Sequence, residues 1–130
     1  MARILVVDDD EVARLAMGTV LEEEGHDVTY APNGEVGLDL YRQRPFTVVL
    51  VDLIMPVMNG LQMIRELLEL DKSARIIAFS GVSPEDLDMA QDLGAMRVFV
   101  KPIAPDDLLM AVNSVLRISS GWDDLKTREL

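Results

Sequence analysis

An α/β fold built on a doubly wound parallel sheet of five strands is predicted from three features of this 130-residue chain. Short apolar, β-branched runs recur along it. The stretches between them are long enough for helices with one apolar stripe, and charged residues stand at the ends of three runs. The runs are Ile4–Val7, Val28–Tyr30, Thr47–Val51, Arg75–Phe79 and Val98–Val100. Four of the five lack polar alternation and are expected to be buried on both faces, as strands of a parallel sheet are. Right-handed crossovers constrain the winding, and the order 2-1-3-4-5 fits, with strands one and three adjacent at the switch point.

The helices follow from stripes and punctuation. From Glu11 to Glu24, Val12, Leu15, Ala16 and Val20 fall at three- and four-residue spacing, and Gly25 offers a permissive C-terminal position before His26. Asn33 is placed to cap a second helix that runs to about Arg42, ahead of Pro45. Leu61, Ile64, Leu67 and Leu68 give a third helix its inward face. The fourth has Ser83 as cap, Pro84 in the first turn, Asp86 in the capping-box position and Gly94 as terminator. Pro105 starts the fifth, with Leu108, Val112, Val115 and Leu116 on one stripe. Residues 1–118 therefore read as one domain. The polar segment SSGWDDLKTREL, residues 119–130, reads as a frayed helix end, a tail or the start of a linker, and Trp122 within it as a docking or anchoring side chain.

Bulk properties narrow the function classes. With 49% apolar residues the chain is globular in composition, and a formal charge of −11 opposes binding to a phosphate backbone. Cysteine is absent, which removes disulfide and thiol chemistry. No apolar run approaches the roughly 18 residues of a membrane span, so a cytoplasmic protein is expected.

Chemistry concentrates at the strand ends. Asp8 and Asp9 follow ILVV, Asp52 follows VVLV and is expected to be presented rather than buried, and Lys101 follows VFV. Open α/β sheets gather ligands at the carboxyl ends of their strands, so these groups should share one crevice. Hard carboxylate ligands suit a cation such as Mg²⁺ that keeps several waters and takes one or two carboxylates plus a phosphate oxygen. Asp52 is then a nucleophile toward phosphorus, giving an acyl phosphate. Lys101 and the Ser80 hydroxyl are placed to pair with phosphoryl oxygens, in chemistry that depends on positioning and charge neutralisation. Asp10 is read instead as the cap of the first helix. His26, with no second histidine or cysteine to share a metal, and the scattered methionines are read as structural.

Taken together, ILVVDDD, VDLIMPVMNG, IIAFSG and VKP resemble the receiver domain of two-component response regulators, a flavodoxin-like (βα)5 fold, over residues 3 to about 118. The resemblance implies that Asp52 is the phosphoryl acceptor, that Asp8 and Asp9 are the acidic pair, that Ser80 is the hydroxyl switch residue and that Lys101 is the family's lysine. It implies Mg²⁺ held by Asp9, Asp52 and the backbone carbonyl of Ile54, with Asp8 acting through water. Backbone contacts to the phosphoryl group from Ile54 and Gly81, and a cis Lys101–Pro102 bond, are implied as well. A sensor histidine kinase or histidine phosphotransfer protein would be the donor. A downstream protein would read the face made by the fourth helix, fifth strand and fifth helix, with no direct nucleic-acid or membrane contact and no turnover catalysis. The chain departs from the family at Val98, where receivers commonly carry a tyrosine or phenylalanine; Phe99, one place later, is expected to be core. Ile54 and Val82 are expected to limit access of the hydrolytic water.

Three alternatives remain open from the residues. A haloacid dehalogenase-type phosphatase needs a second acid two residues past the nucleophile, where Ile54 stands. A Rossmann nucleotide module needs glycines in the first turn, which reads DDDEVAR. The third is a receiver-like adaptor that never accepts phosphate.

Overall fold

The computed structural model describes residues 2–81 and 84–117, so the expectations placed on Val82, Ser83, Trp122 and residues 119–130 lie outside the described residues. Strand and helix alternate as β1 (Arg3–Val7), α1 (Glu11–Glu23), β2 (Asp27–Ala31), α2 (Gly34–Gln43), β3 (Val48–Asp52), α3 (Gly60–Leu70), β4 (Ile76–Ser80), α4 (Pro84–Leu93), β5 (Arg97–Val100) and α5 (Pro105–Arg117). Every pairing is parallel and the order is β2-β1-β3-β4-β5. The register sets Val7 beside Val51, Asp52 beside Phe79 and Ser80 beside Val100. One residue further along, Asp8 and Lys101 emerge at the same end of the sheet.

Alternate side chains of each strand enter opposite cores, which is why the central strands read as unbroken apolar runs. Leu5, Val7, Val49, Val51, Ile76 and Ala78 pack on the side of α2, α3 and α4, against Leu38, Met63, Ile64 and Leu67. Ile4, Val6, Val48, Leu50, Ile77 and Phe79 pack on the side of α1 and α5, against Met17, Leu21, Leu108 and Val112.

Several expected signals are seen. Asp10 Oδ1 accepts from the Val12 N–H at 3.0 Å and Asn33 Oδ1 from the Val36 N–H at 2.9 Å. Gly25 and Gly94 both take positive φ, 88° and 128°, just past α1 and α4. Pro105 opens α5, and the Lys101–Pro102 bond is cis.

Two readings need correction. Three strands, not four, are buried on both faces, because β2 and β5 are sheet edges with a neighbour on one side only, and both are largely half-buried. Of the stripe of Val12, Leu15, Ala16 and Val20 on α1, only Val20 faces inward, half-buried against the α1–α5 core. Val12 is 78% exposed, Leu15 and Ala16 are exposed, and the buried residues are Met17, Gly18 and Leu21. Gly18 is the cause: a Cβ there would fall 2.0 Å from the Tyr30 hydroxyl, so the tyrosine of β2 occupies the space a side chain would fill. Counting apolar side chains cannot mark a glycine as core-facing.

Candidate functional site

The site is assembled from the turns that follow β1, β3, β4 and β5. After β1 the chain folds back in a short turn in which Asp8 Oδ1 accepts the Asp10 N–H at 2.9 Å. Asp8 is fully buried, and its own N–H donates to the Ala31 carbonyl at 3.2 Å. Arg14, one turn into α1, donates to the Asp8 carbonyl at 2.8 Å and holds the turn from the helix side. Asp9 is exposed at the turn's outer edge.

Asp52 is the last residue of β3 and only 6% exposed, which corrects the expectation of a presented carboxylate. Burial comes from the loop beyond it. Leu53 N–H donates to the Phe79 carbonyl at 2.8 Å, and Gly60 N–H returns to the Leu53 carbonyl at 3.0 Å. A Cβ on Gly60 would lie 2.5 Å from both the Asp52 carbonyl oxygen and Leu53 Cα, so only glycine lets α3 start this close to the acceptor's backbone. Between them Met58 N–H donates to the Pro56 carbonyl at 2.8 Å across Val57, whose φ of 71° is unusual for a β-branched residue. Asn59 caps α3 by accepting the Gln62 N–H at 2.9 Å. Met55, in the same loop, is buried in the core on the α2–α4 side.

Lys101 joins the two acids. Its Nζ lies 2.6 Å from Asp8 Oδ2 and 3.2 Å from Asp52 Oδ2, and its N–H donates to the Ser80 carbonyl at 3.0 Å. Ser80 is buried at the end of β4, and Gly81 is exposed beside it; a Cβ on Gly81 would meet only Lys101 Cβ, at 3.9 Å. Ile54 N–H donates to Asp52 Oδ1 at 3.1 Å. One oxygen from each of Asp8, Asp9 and Asp52 falls within 4.8 Å of the others. Asp8, Asp9, Asp52, Ile54, Ser80, Gly81 and Lys101 thus all lie at one end of the sheet.

The electrostatics follow from burial and pairing. Burial raises the Asp52 carboxyl above its ordinary value and the charge of Asp8 adds to this, while the Ile54 N–H and Lys101 oppose it. Burial alone would lower the Lys101 ammonium, but the Asp8 hydrogen bond and the charges of Asp52 and Asp8 outweigh it and hold it raised. The cleft carries more negative than positive charge, and its donors are hard oxygens, the set that fits a small divalent cation.

Two side chains near the site bear on the sequence reading. Phe99 is stacked on Phe79 with ring centroids 6.2 Å apart and 29° between planes, on the α1–α5 side, but it is half-buried and lines a surface groove beside α5, so it packs on the core's edge and is not wholly a core residue. Val98 points to the other side and packs against the α2–α4 core. Arg14 escaped the sequence reading. Its signal was its place six residues after Asp8, one turn into a helix capped by Asp10, from which a long side chain reaches back to the strand end.

Strand-end acids bridged by a lysine, on a five-stranded parallel sheet of this order, define a small α/β domain with an acidic cleft at its switch point. The family model of the response regulator receiver domain matches residues 4–113, and the chain belongs to that family, the receiver domains of two-component signalling. It is 36% identical over 119 residues to the protein PilH of Pseudomonas aeruginosa, covering 89% of this chain and 98% of PilH. It is 31% identical over 115 residues to the chemotaxis protein CheY of Thermotoga maritima, covering 87% and 96%. A crystal structure of a CheY-like receiver domain protein from Methanospirillum hungatei JF-1 superposes with a TM-score of 0.85 at 30% identity, over 89% of this chain and 94% of that one.

Proposed function

We propose that the chain is a phosphorylatable switch in which Asp52 accepts a phosphoryl group from a phosphohistidine on a sensor histidine kinase or histidine phosphotransfer protein. The observation that carries this reading is the Lys101 ammonium set between Asp8 and Asp52, side chains 93 and 49 residues away in sequence. An Asp52 oxygen forms the new bond to phosphorus as the N–P bond of the donor breaks, and the histidine nitrogen leaves with the bonding pair. Ile54 N–H fixes the Asp52 carboxylate before transfer and would pass to a phosphoryl oxygen once Asp52 is modified, where Lys101, the Ser80 hydroxyl and the Gly81 N–H would join it. Asp8, Asp9, Asp52 and the Ile54 carbonyl would hold Mg²⁺, which when bound neutralises the crowded charge. Asp52 ends each transfer as an acyl phosphate and is regenerated only when water hydrolyses it, so the proposed output is the phosphorylated state itself, that of a switch and not of a turnover enzyme.

Surface features support the partner assignments. Exposed Val12 and Leu15 stand on α1 close to the cleft, and beside them a groove of about 340 Å³ is lined by Ala13, Ala16, Met17, Pro102 and Ile103, with the charged Asp10 and Lys101 at its cleft end. An apolar shoulder next to the acceptor suits a donor protein that must place its phosphohistidine there. Ser80 and Lys101 sit at the ends of β4 and β5, so engagement of a phosphoryl group would favour one arrangement of the α4–β5–α5 face, which a downstream protein reads. No helix among the described residues is long and apolar enough to cross a membrane, and the proposed setting is the cytoplasm. Intact mass after incubation with acetyl phosphate and Mg²⁺ tests the reading. One phosphoryl group should be gained by the wild type and none by Asp52→Asn; an equal gain in both removes Asp52 as acceptor.

A further inference from the structure

β5 is an edge strand, so the face formed by α4, β5 and α5 ends in a backbone with no neighbour on its outer side. Val100 is 61% exposed and Met110 69%, and Met89 on α4 is also exposed. Phe99, Met110 and Ala111 line a groove of about 270 Å³ between β5 and α5, closed by Arg97, Asp107 and Ser114. These apolar groups are flanked by acids on both sides. Glu85, Asp88 and Asp92 share the exposed stripe of α4 with Met89, and Asp106 and Asp107 stand exposed in the first turn of α5.

Cations do not balance this rim. α4 carries no lysine or arginine. Arg97 lies half-buried in the groove itself but is already engaged there, donating to the Met96 carbonyl at 2.7 Å and to Ser114 Oγ at 2.6 Å, and Lys101 is held in the cleft by Asp8 and Asp52. Only Arg117, at the far end of α5, is an exposed cation on these elements. In a two-fold pairing of this face with itself residue i meets j and j meets i, and because exposed acids on α4 and α5 outnumber the one exposed cation, Arg117, the acids of one copy would mostly meet acids of the other around the apolar centre.

We propose that this face receives a segment of a partner protein in which lysines or arginines flank an apolar anchor, and that it does not pair with a second copy of the chain. The apolar anchor would sit against Phe99, Val100 and Met110, and the cations against the α4 and α5 acids. This rests on the reading that the face reports the state of Asp52, and it specifies the chemistry of what reads it.

The test uses the full chain labelled at its methionine methyl groups and two probes, a short amphipathic peptide of leucine and lysine and its leucine–glutamate counterpart. The lysine peptide should move the methyl signals of Met89 and Met110 and leave that of buried Met63 unchanged, while the glutamate peptide moves none. Asp88→Lys combined with Asp107→Lys should weaken the lysine peptide by about tenfold or more, whereas Glu35→Lys with Glu69→Lys, exposed acids on α2 and α3, should change it by less than about threefold. Equal weakening by the two charge-reversed pairs, binding of the glutamate peptide at Met89 and Met110, or a dimer in sedimentation that Met110→Lys dissociates would each overturn the proposal. The titration is run with and without acetyl phosphate, with Asp52 occupancy read by mass. A chain that takes no phosphoryl group therefore refutes the acceptor reading, while the peptide result on the unmodified protein still decides the partner's chemistry.

Discussion

The Lys101 ammonium lies closer to Asp8, at 2.6 Å, than to Asp52, at 3.2 Å. Its stronger commitment is therefore to a fully buried carboxylate that never reacts. Replacing Lys101 by Met would leave that carboxylate without its counter-ion, at a cost of about 2 kcal/mol, discounted because the lysine itself is partly exposed. Urea denaturation should show the loss, and Mg²⁺ should recover a larger share of stability in the variant than in the wild type, since a dication replaces the missing charge. An equal Mg²⁺ response in the two proteins would mean that the ion is held elsewhere.

Gly60 is the second constraint on the acceptor. Any Cβ there meets backbone, 2.5 Å from the Asp52 carbonyl oxygen and from Leu53 Cα, and backbone cannot rotate away as a side-chain tip does. Gly60→Ala should lose about 2–3 kcal/mol of stability. It should also slow phosphorylation of the folded fraction by acetyl phosphate, because the shift passes directly into the residue that carries the nucleophile. Normal kinetics at reduced stability would separate the loop's packing role from the acceptor's alignment.

The exposed stripe on α1 predicts a division between donors. Leu15→Ala and Val12→Asp should slow transfer from a phosphohistidine protein by about tenfold, through lost apolar contact. Neither should change phosphorylation by acetyl phosphate, which needs no docking surface. Stopped-flow transfer from a histidine phosphotransfer protein measures the first and intact mass the second; a parallel loss in both would place these side chains in the cleft's own architecture.

Most of the fold was legible because two-sided burial of β1, β3 and β4 writes itself into sequence as unbroken apolar runs. The strand-end positions of Asp8, Asp9, Asp52 and Ser80 were legible for the same reason, since they close β1, β3 and β4, whereas Lys101 follows the half-buried edge strand β5 and was marked only by the short run VFV. What stayed hidden depends on contacts between segments. The face of α1 is set by Tyr30 lying over Gly18, and the burial of Asp52 by Gly60 returning to Leu53; neither is a periodicity. The same holds for Arg14, whose role at the Asp8 carbonyl exists only once α1 has docked.

At the opposite end of the sheet Tyr41 donates to Asp71 Oδ2 at 2.6 Å, tying the end of α2 to the end of α3. This hydrogen bond, with that from Ser73, holds the Asp71 carboxyl below its ordinary value. The folded state therefore favours the ionised acid, and the stabilisation is complete above the unfolded carboxyl's pKa of about 3.9 and lost as pH falls through the lower folded value. Tyr41→Phe should cost about 1 kcal/mol near neutral pH. The gap to wild type should narrow only below about pH 4, as the charge-assisted bond becomes a neutral one. A gap that widened on acidification would reverse the assigned sign.

Ile54 bears on how long the acyl phosphate survives. Its N–H is pinned to Asp52 Oδ1, so its half-exposed apolar side chain starts at the edge of the cleft and offers an attacking water no hydrogen-bond partner. An asparagine carboxamide at this position both accepts from and donates to water, and it can hold one near the phosphorus for in-line attack. Ile54→Asn should therefore speed decay of the phosphorylated protein by about tenfold, through positioning of the nucleophile. Ile54→Leu, which keeps the volume and adds no polar group, should decay like the wild type. Decay is followed by intact mass after removal of acetyl phosphate, and indistinguishable rates for Asn and Leu would assign control of the water to another residue of the cleft.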